Sequence, residues 1–143
     1  MKRPIDPAHL LPHRAPARLV EKILEHGPDR VVCRGSIPPT SPFVANGRAP
    51  SFLGLELAAQ GAVVLTAGIG DGDAGDDSAP AIGYLVRMRG AALSPEGVPA
   101  GAPLIAKIER TGGAGRLGIF SVRVTDGDRT VAEGSLSTVR VDD

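Results

Sequence analysis

The sequence predicts an α+β fold in which an antiparallel sheet wraps around one long central helix. The longest apolar run, residues 50–70, contains only two strongly polar side chains, Glu56 and Gln60. The chain after this run alternates apolar and polar residues between turn signals that are typical of β-hairpins. With 143 residues in all, we expect a single domain over residues 1–143.

Two short elements and a proline-rich loop precede the helix. The apolar spacing in residues 18–26 suits either a helical turn or a strand, and residues 29–37 are predicted as a strand after the turn at Gly27 and Pro28. Residues 38–50 hold four prolines, so we expect no regular structure there.

The helix is predicted to begin at Pro50 or Ser51, since proline is tolerated in the first turn and serine is a good cap. A helix that is apolar on nearly every side must be buried. Glu56 and Gln60 are four residues apart, which places them on one helix face. A carboxylate in such surroundings needs a partner, solvent or a chemical task, and it argues against a membrane span.

The remaining strands are predicted at residues 81–93, 104–110, 117–125 and 129–141. Residues 94–103 and the glycines 112, 113 and 115 supply turns, and Asp126, Gly127 and Asp128 form a hairpin signal. Strands joined by hairpins after one buried helix imply an antiparallel sheet that packs on that helix.

Composition excludes several classes of protein. The net charge is zero and there are three Phe, one Tyr and no Trp, so we expect no nucleic-acid partner. The lone cysteine, Cys33, is read as a small core residue and fits a cytoplasmic location, and no secretory h-region follows the basic N-terminus. Three scattered histidines predict no metal site, and we expect no cofactor.

Three motifs occur in order along nearly the whole chain. They are LLPHRAP at residues 10–16, PSFLGLE at 50–56 continued by Ala59 and Gln60, and VPAGAPL at 98–104. Together they resemble the hotdog-fold 3-hydroxyacyl-(acyl carrier protein) dehydratases, in particular the short branch associated with aryl-polyene-type biosynthesis. The resemblance implies a hotdog homodimer that dehydrates a 3-hydroxyacyl thioester carried by acyl carrier protein or coenzyme A.

The resemblance also implies roles for residues of the helix. Glu56 corresponds to the catalytic carboxylate, and the backbone N–H at Ser51 corresponds to the donor that holds the thioester carbonyl, a task that suits a helix N-terminus. Gly54 of the same motif and Gln60 are candidate substrate contacts, although Gln60 also suits a structural role. We expect the leucines at 53, 55 and 57 to keep Glu56 from bulk water, and the acyl chain to lie among Leu53, Leu57 and Val64.

The family's loop histidine has no counterpart here. Arg48 follows Gly47 in the loop before the helix, and an arginine stays protonated, so it cannot serve as a general base. His13 is the candidate replacement, and its alternative role is to clamp the proline-rich loop. Asn46 and Arg48 lie on the loop nearest the helix start and are candidate substrate-binding residues.

Three functions therefore stay open. The first is a hydroxyacyl-thioester dehydratase, a lyase, or a catalytically altered relative. The second is a thioesterase that uses the helix carboxylate and a helix-terminal N–H. The third is a non-catalytic partner of an acyl carrier protein or of a complete dehydratase.

Overall fold

The computed structural model describes residues 19–66 and 82–141. Its main feature is a six-stranded antiparallel sheet in the order β1-β2-β6-β7-β8-β4, packed on one helix, α1. A short two-stranded sheet pairs β3 with β5. The elements are β1 (Val20–His26), β2 (Arg30–Gly35), β3 (Arg48–Ala49), α1 (Phe52–Thr66), β4 (Ile82–Leu93), β5 (Val98–Pro99), β6 (Leu104–Ala114), β7 (Leu117–Asp126) and β8 (Arg129–Val141).

This architecture confirms the predicted antiparallel sheet around a central helix, and of the two alternatives left open for residues 18–26 the chain forms the strand, β1. Two local features differ from the prediction. Strand β6 runs on to Ala114 because Gly112 and Gly113 pair with β7, so the turn lies at Gly115 and Arg116. The two loops predicted to lack strands each contribute one strand of the β3–β5 pair.

Two glycines allow α1 to lie close to the sheet. A Cβ atom on Gly54 would stand 3.2 Å from Cβ of Ala132, and one on Gly61 would stand 2.7 Å from Cδ1 of Ile108 and 3.0 Å from Sγ of Cys33. These glycines are seven residues apart and therefore lie on one face of the helix. That face packs on the strands, and most of the helix is buried as the sequence predicted.

The N-terminal end of α1 is reached through a tight turn. Asn46 and Gly47 both have positive φ, 54° and 74°, and the N–H groups of Ala45 and Arg48 each donate to the other residue's carbonyl, at 2.9 and 3.0 Å. Positive φ at both central positions is the geometry of an Asn-Gly hairpin turn. The turn places β3 beside β5, and the helix begins shortly after β3 ends, at Phe52.

In the described residues, α1 is too short to cross a membrane and no other helix is present.

Candidate functional site

A cleft of about 470 Å³ opens at the N-terminal end of α1. One wall comes from the loop and turn that lead into the helix, and the other comes from the connection between β4 and β5. Its volume lies in the range that small ligands occupy in proteins. The described residues that line it are Phe43, Ala45, Arg48, Ala49, Pro50, Ser51, Phe52, Leu93, Ser94, Pro95, Glu96 and Gly97.

Backbone amides at the start of α1 lie at this end of the cleft. The first N–H groups that bond within the helical turn are those of Leu53, to the Pro50 carbonyl at 3.1 Å, and Gly54, to the Ser51 carbonyl at 2.9 Å. The amides of Ser51 and Phe52 come earlier, at the positive end of the helix dipole. The first turn of α1 holds no acidic residue that would neutralise that end. The cleft therefore offers a favourable place for a carbonyl oxygen that gains negative charge.

Ser51 does not cap the helix with its side chain, contrary to the sequence-based expectation. Its hydroxyl donates instead to the carbonyl of Ser94, at 2.6 Å. Because Ser51 is buried, this bond fastens the start of the helix to the opposite wall of the cleft. The expected role of the Ser51 backbone N–H is compatible with this arrangement and stays a prediction.

An apolar rim surrounds the mouth of the cleft, formed by Phe43, Phe52 and Leu93. These are three of the five large apolar side chains that are exposed in the described residues. The rings of Phe43 and Phe52 meet edge to face, with centroids 5.3 Å apart and an interplanar angle of 85°. Exposed apolar side chains that gather around one cleft are typical of binding sites.

Arg48 lies in the wall of the cleft, on the loop where the sequence placed it. Its Nε donates to the Glu96 carbonyl at 2.9 Å, and the Gly97 carbonyl is 3.5 Å from its terminal nitrogen. Asn46 is exposed on the adjacent turn and is not among the described lining residues. Arg48 thus ties the two walls together, while Asn46 shapes the turn that delivers it.

Glu56 is exposed in this single chain. The expectation that leucines 53, 55 and 57 keep it from water is wrong, because all three side chains turn into the core. Glu56 lies one turn beyond Phe52 on the same helix face, so it is next to the rim of the cleft on the helix surface. Its catalytic role stays a prediction.

Gln60 and Gly54 have surroundings that favour a structural role. The side-chain oxygen of Gln60 is buried and accepts the backbone N–H groups of Leu19 at 2.7 Å and Val20 at 3.3 Å. Gly54 faces the sheet, as described above. Neither residue is among the described residues that line the cleft. Their assignment as substrate contacts rests on the motif alone.

The expected acyl-chain site is also corrected. Leu53, Leu57 and Val64 are buried in the core of this chain, with Leu57 and Val64 fully covered. Side chains covered to this extent present almost no surface to a ligand, and none of the three is among the described residues that line the cleft. His13 and the whole N-terminal motif lie outside the described residues.

Sequence analysis missed Phe43, Leu93 and the wall formed by residues 94–97. The sequence predicts the turn at 94–97, but its neighbour across the cleft is more than 40 residues earlier in the chain. Pairing at such a distance leaves no local pattern. A weak signal lies in Gly97, whose φ is +70° and whose Cβ position lies 2.4 Å from the Ala49 carbonyl oxygen, a place that only glycine can occupy without a shift.

Comparison of the structure with solved structures shows the hotdog fold. A chain of the dehydratase heterocomplex ApeI:P from Xenorhabdus doucetiae superposes with a TM-score of 0.82 at 22% identity, covering 96% of this chain and 92% of that chain. A hypothetical thioesterase with coenzyme A from Streptococcus pneumoniae gives a TM-score of 0.62 at 14% identity, covering 83% and 84%. A single-site mutant of the phenylacetic acid degradation protein PaaI from Thermus thermophilus gives 0.60 at 19% identity, covering 84% and 92%.

Sequence comparison supplies the family. A search of curated proteins gave no match. The model of the ApeP-like family, described as ApeP dehydratase, matches residues 5–143, which is nearly the full length and includes all three motifs. This chain belongs to the ApeP-like dehydratase family.

Proposed function

We propose that this protein binds a 3-hydroxyacyl thioester, carried by acyl carrier protein or coenzyme A, in the cleft at the N-terminal end of α1 and takes part in its dehydration. The observation that carries the proposal is the coincidence of the cleft, the helix amides at Ser51 and Phe52, and the carboxylate of Glu56 on the adjacent helix surface. Membership of a dehydratase family supports the same reaction.

The thioester carbonyl would face the first amides of α1. Removal of a proton from C2 turns this carbonyl into an enolate oxygen, which the amides and the helix dipole stabilise. The acyl chain would contact the rim at Phe43, Phe52 and Leu93, in place of the buried leucines of α1. Burial of apolar substrate atoms against these exposed side chains favours binding.

In the proposed reaction the C2 proton moves to a base and the C3–O bond breaks. Glu56 in its protonated form gives its proton to the departing hydroxyl group, which leaves as water. The electron pair of the C2–H bond becomes the new C2–C3 double bond, so the products are a 2-enoyl thioester and water. The base then returns its proton to Glu56, and the cycle closes without a cofactor.

The base is the open part of this mechanism. Among the described residues that line the cleft there is no histidine, and Arg48 is unsuited to the task. His13 is our candidate in this chain, and the other source is a second subunit. We propose a homodimer in which the partner covers the exposed Glu56, so that bulk water is excluded from the acid and its substrate.

Hydrolysis of the thioester is the second candidate function. The observation that favours it is the same exposed carboxylate beside a helix N-terminus without a histidine in the described lining. Glu56 would then remove a proton from water, the hydroxide would attack the carbonyl carbon, and the thiol would leave with that proton. The thioesterase among the structural neighbours shares the fold at 14% identity, which does not bear on activity.

One assay separates these functions. Purified protein is incubated with a 3-hydroxyacyl thioester while the α,β-unsaturated product and free thiol are followed together. We expect the enoyl product without free thiol in the wild type, its loss in Glu56→Gln with the fold intact, and its loss in His13→Ala if His13 is the base. Full turnover in Glu56→Gln would refute its assignment. Free thiol alone would favour hydrolysis. The absence of both products, together with retained binding to an acyl carrier protein, would favour a non-catalytic partner.

A further inference from the structure

We propose that Arg129 is a positioning residue that holds the 94–97 wall of the cleft against the N-terminal end of α1. Arg129 lies at the start of β8 and is not among the described residues that line the cleft, so any effect on a ligand passes through the wall. The inference rests on the proposed function only where it concerns the thioester; the positioning itself is a property of the fold.

The contacts of Arg129 converge on this wall. One terminal nitrogen donates to the Gly97 carbonyl at 3.0 Å. The other lies 2.7 Å from the carboxylate of Glu96 and 3.5 Å from the Ser94 hydroxyl. Arg129 also has Asp126 at 3.5 Å, which fixes the guanidinium on its own hairpin. The planar guanidinium can therefore hold several positions of one loop in a set geometry.

The carbonyl contact is the one that should matter. The Glu96 side chain is 72% exposed, so its ion pair with Arg129 is screened by water. The Arg129 side chain is only 34% exposed and its bond to Gly97 is partly buried. A carbonyl that loses a charged donor in such a place is left poorly paired, which is the costlier change. We therefore expect Glu96→Gln to loosen the 94–97 wall only slightly and Arg129→Gln to loosen it strongly.

The wall transmits this restraint to the helix. The Ser94 carbonyl accepts the Ser51 hydroxyl at 2.6 Å, and Arg48 binds the Glu96 carbonyl from the other side at 2.9 Å. If the loop moves, the Ser51 hydroxyl loses its acceptor at the first turn of α1. Arg129 thus sets the position of the amides that would receive a thioester carbonyl, although it touches no substrate.

Hydrogen exchange tests the positioning directly and needs no ligand. In Arg129→Gln we expect the amides of Leu53, Gly54 and Gly97 to exchange about tenfold faster than in the wild type, because the first turn of α1 and the 94–97 turn open more often. Arg123→Gln is the matched control, since Arg123 pairs with Glu133 at 3.2 Å elsewhere on the β7–β8 hairpin. Equal exchange at these amides in the two variants would overturn the proposal.

A pair of ligands then separates positioning from general loosening. In the Glu56→Gln background, which prevents turnover, we would measure binding of S-butyryl coenzyme A and of its thioether, S-butyl coenzyme A. Arg129→Gln should raise the Kd of the thioester about tenfold and that of the thioether less than about twofold, because only the thioester has the carbonyl. Arg129→Lys keeps the positive charge but lacks the planar guanidinium with its several donors. It should restore part of the thioester affinity that Arg129→Gln loses.

The outcomes are distinct for the two proposals. Equal weakening of both ligands by Arg129→Gln would contradict a role in carbonyl positioning. If the Glu56→Gln protein with Arg129 intact binds neither ligand, the coenzyme A form of the proposed function fails, and the exchange rates of Leu53 and Gly54 still decide whether Arg129 holds the helix start. If the thioester is bound and exchange does not change, the positioning role fails while the proposed function stands.

Discussion

Glu56 and Gln60 illustrate how neighbours on one helix face acquire opposite surroundings. Both residues belong to the same row of α1, as their spacing predicted. Glu56 is exposed, whereas Gln60 is covered because the start of β1 crosses the helix there and donates two backbone N–H groups to its oxygen. The spacing of the two residues can be read from the sequence. The strand that covers Gln60 comes from 40 residues earlier in the chain, so its position there cannot be read from the sequence.

Gln60 should therefore contribute to stability. Gln60→Ala would leave the amides of Leu19 and Val20 without their buried acceptor, and we expect the free energy of unfolding to fall by about 2–3 kcal/mol. Urea denaturation measures the change. Glu56→Ala, one turn away at an exposed position, serves as the control and should lower the free energy of unfolding by less than about 1 kcal/mol. Equal losses in both variants would contradict a structural role for Gln60.

Cys33 gives a prediction about pH. Burial raises the pKa of its thiol from 9.0 to about 12. Between these values the unfolded chain loses this proton while the folded chain keeps it, so the thiol makes stability fall as pH rises, by about 1.4 kcal/mol per unit. Well below the unfolded pKa of about 9 it has no such effect. Chemical denaturation from about pH 8 to 11 should show a shallower decline for Cys33→Ala than for the wild type, and parallel curves would contradict this.

The β3–β5 pair is the element that builds the cleft. It brings the turn at Asn46 and Gly47 next to the 94–97 loop, and both sides were expected to be irregular because of their prolines and glycines. The longer strands were predictable because their alternation is local, and β8 agrees with its predicted bounds. Strands of two residues are too short to show such alternation, so the two strands that shape the site could not be predicted from the sequence.

Gly97 tests this element. A Cβ there would stand 2.4 Å from the Ala49 carbonyl oxygen, so Gly97→Ala should force β3 away from β5 and widen the cleft. Gly101→Ala is a matched control, because Gly101 also has positive φ, +80°, but nothing lies within 4 Å of its Cβ position. We expect a loss of about 1 kcal/mol of unfolding free energy from backbone strain in Gly101→Ala, and at least about twice that in Gly97→Ala.

Thermal and urea unfolding of the two alanine variants would measure the difference. Faster exchange at the amides of Leu53 and Gly54 should accompany Gly97→Ala alone, because that variant disturbs the start of the helix. Similar stability and similar exchange in both variants would mean that the close contact at Ala49 does not shape the cleft.

The whole molecule presents an open edge that fits the proposed dimer. Strand β4 has 12 residues and pairs with β8, and no described strand lies on its other side. Such an edge offers unpaired backbone groups to a second chain. We expect sedimentation equilibrium to give about twice the 14.6 kDa mass of one chain. A monomer that retains full activity would contradict the view that a partner must cover Glu56.

For the molecule as a whole, the fold could be predicted from the sequence, whereas the candidate site could be predicted only in part. Burial of a nearly uniform apolar helix and hairpin-linked alternation leave few arrangements other than a sheet around a helix. Arg48 lies in the wall of the cleft, and its part in substrate binding stays a prediction. The surroundings of Glu56 differ from expectation, because the direction in which each helix face turns is decided by packing against the sheet.

The most direct test is to locate the ligand on the protein. Amide chemical shifts of the Glu56→Gln variant would be recorded while a 3-hydroxyacyl thioester is added. Binding in the cleft predicts that the largest shifts occur at Ser51, Phe52, Ser94, Glu96 and Gly97, with smaller ones at Phe43 and Leu93. Shifts confined to the outer face of the sheet, around Arg123 and Glu133, or no shifts at a saturating concentration, would contradict a thioester site at the helix N-terminus.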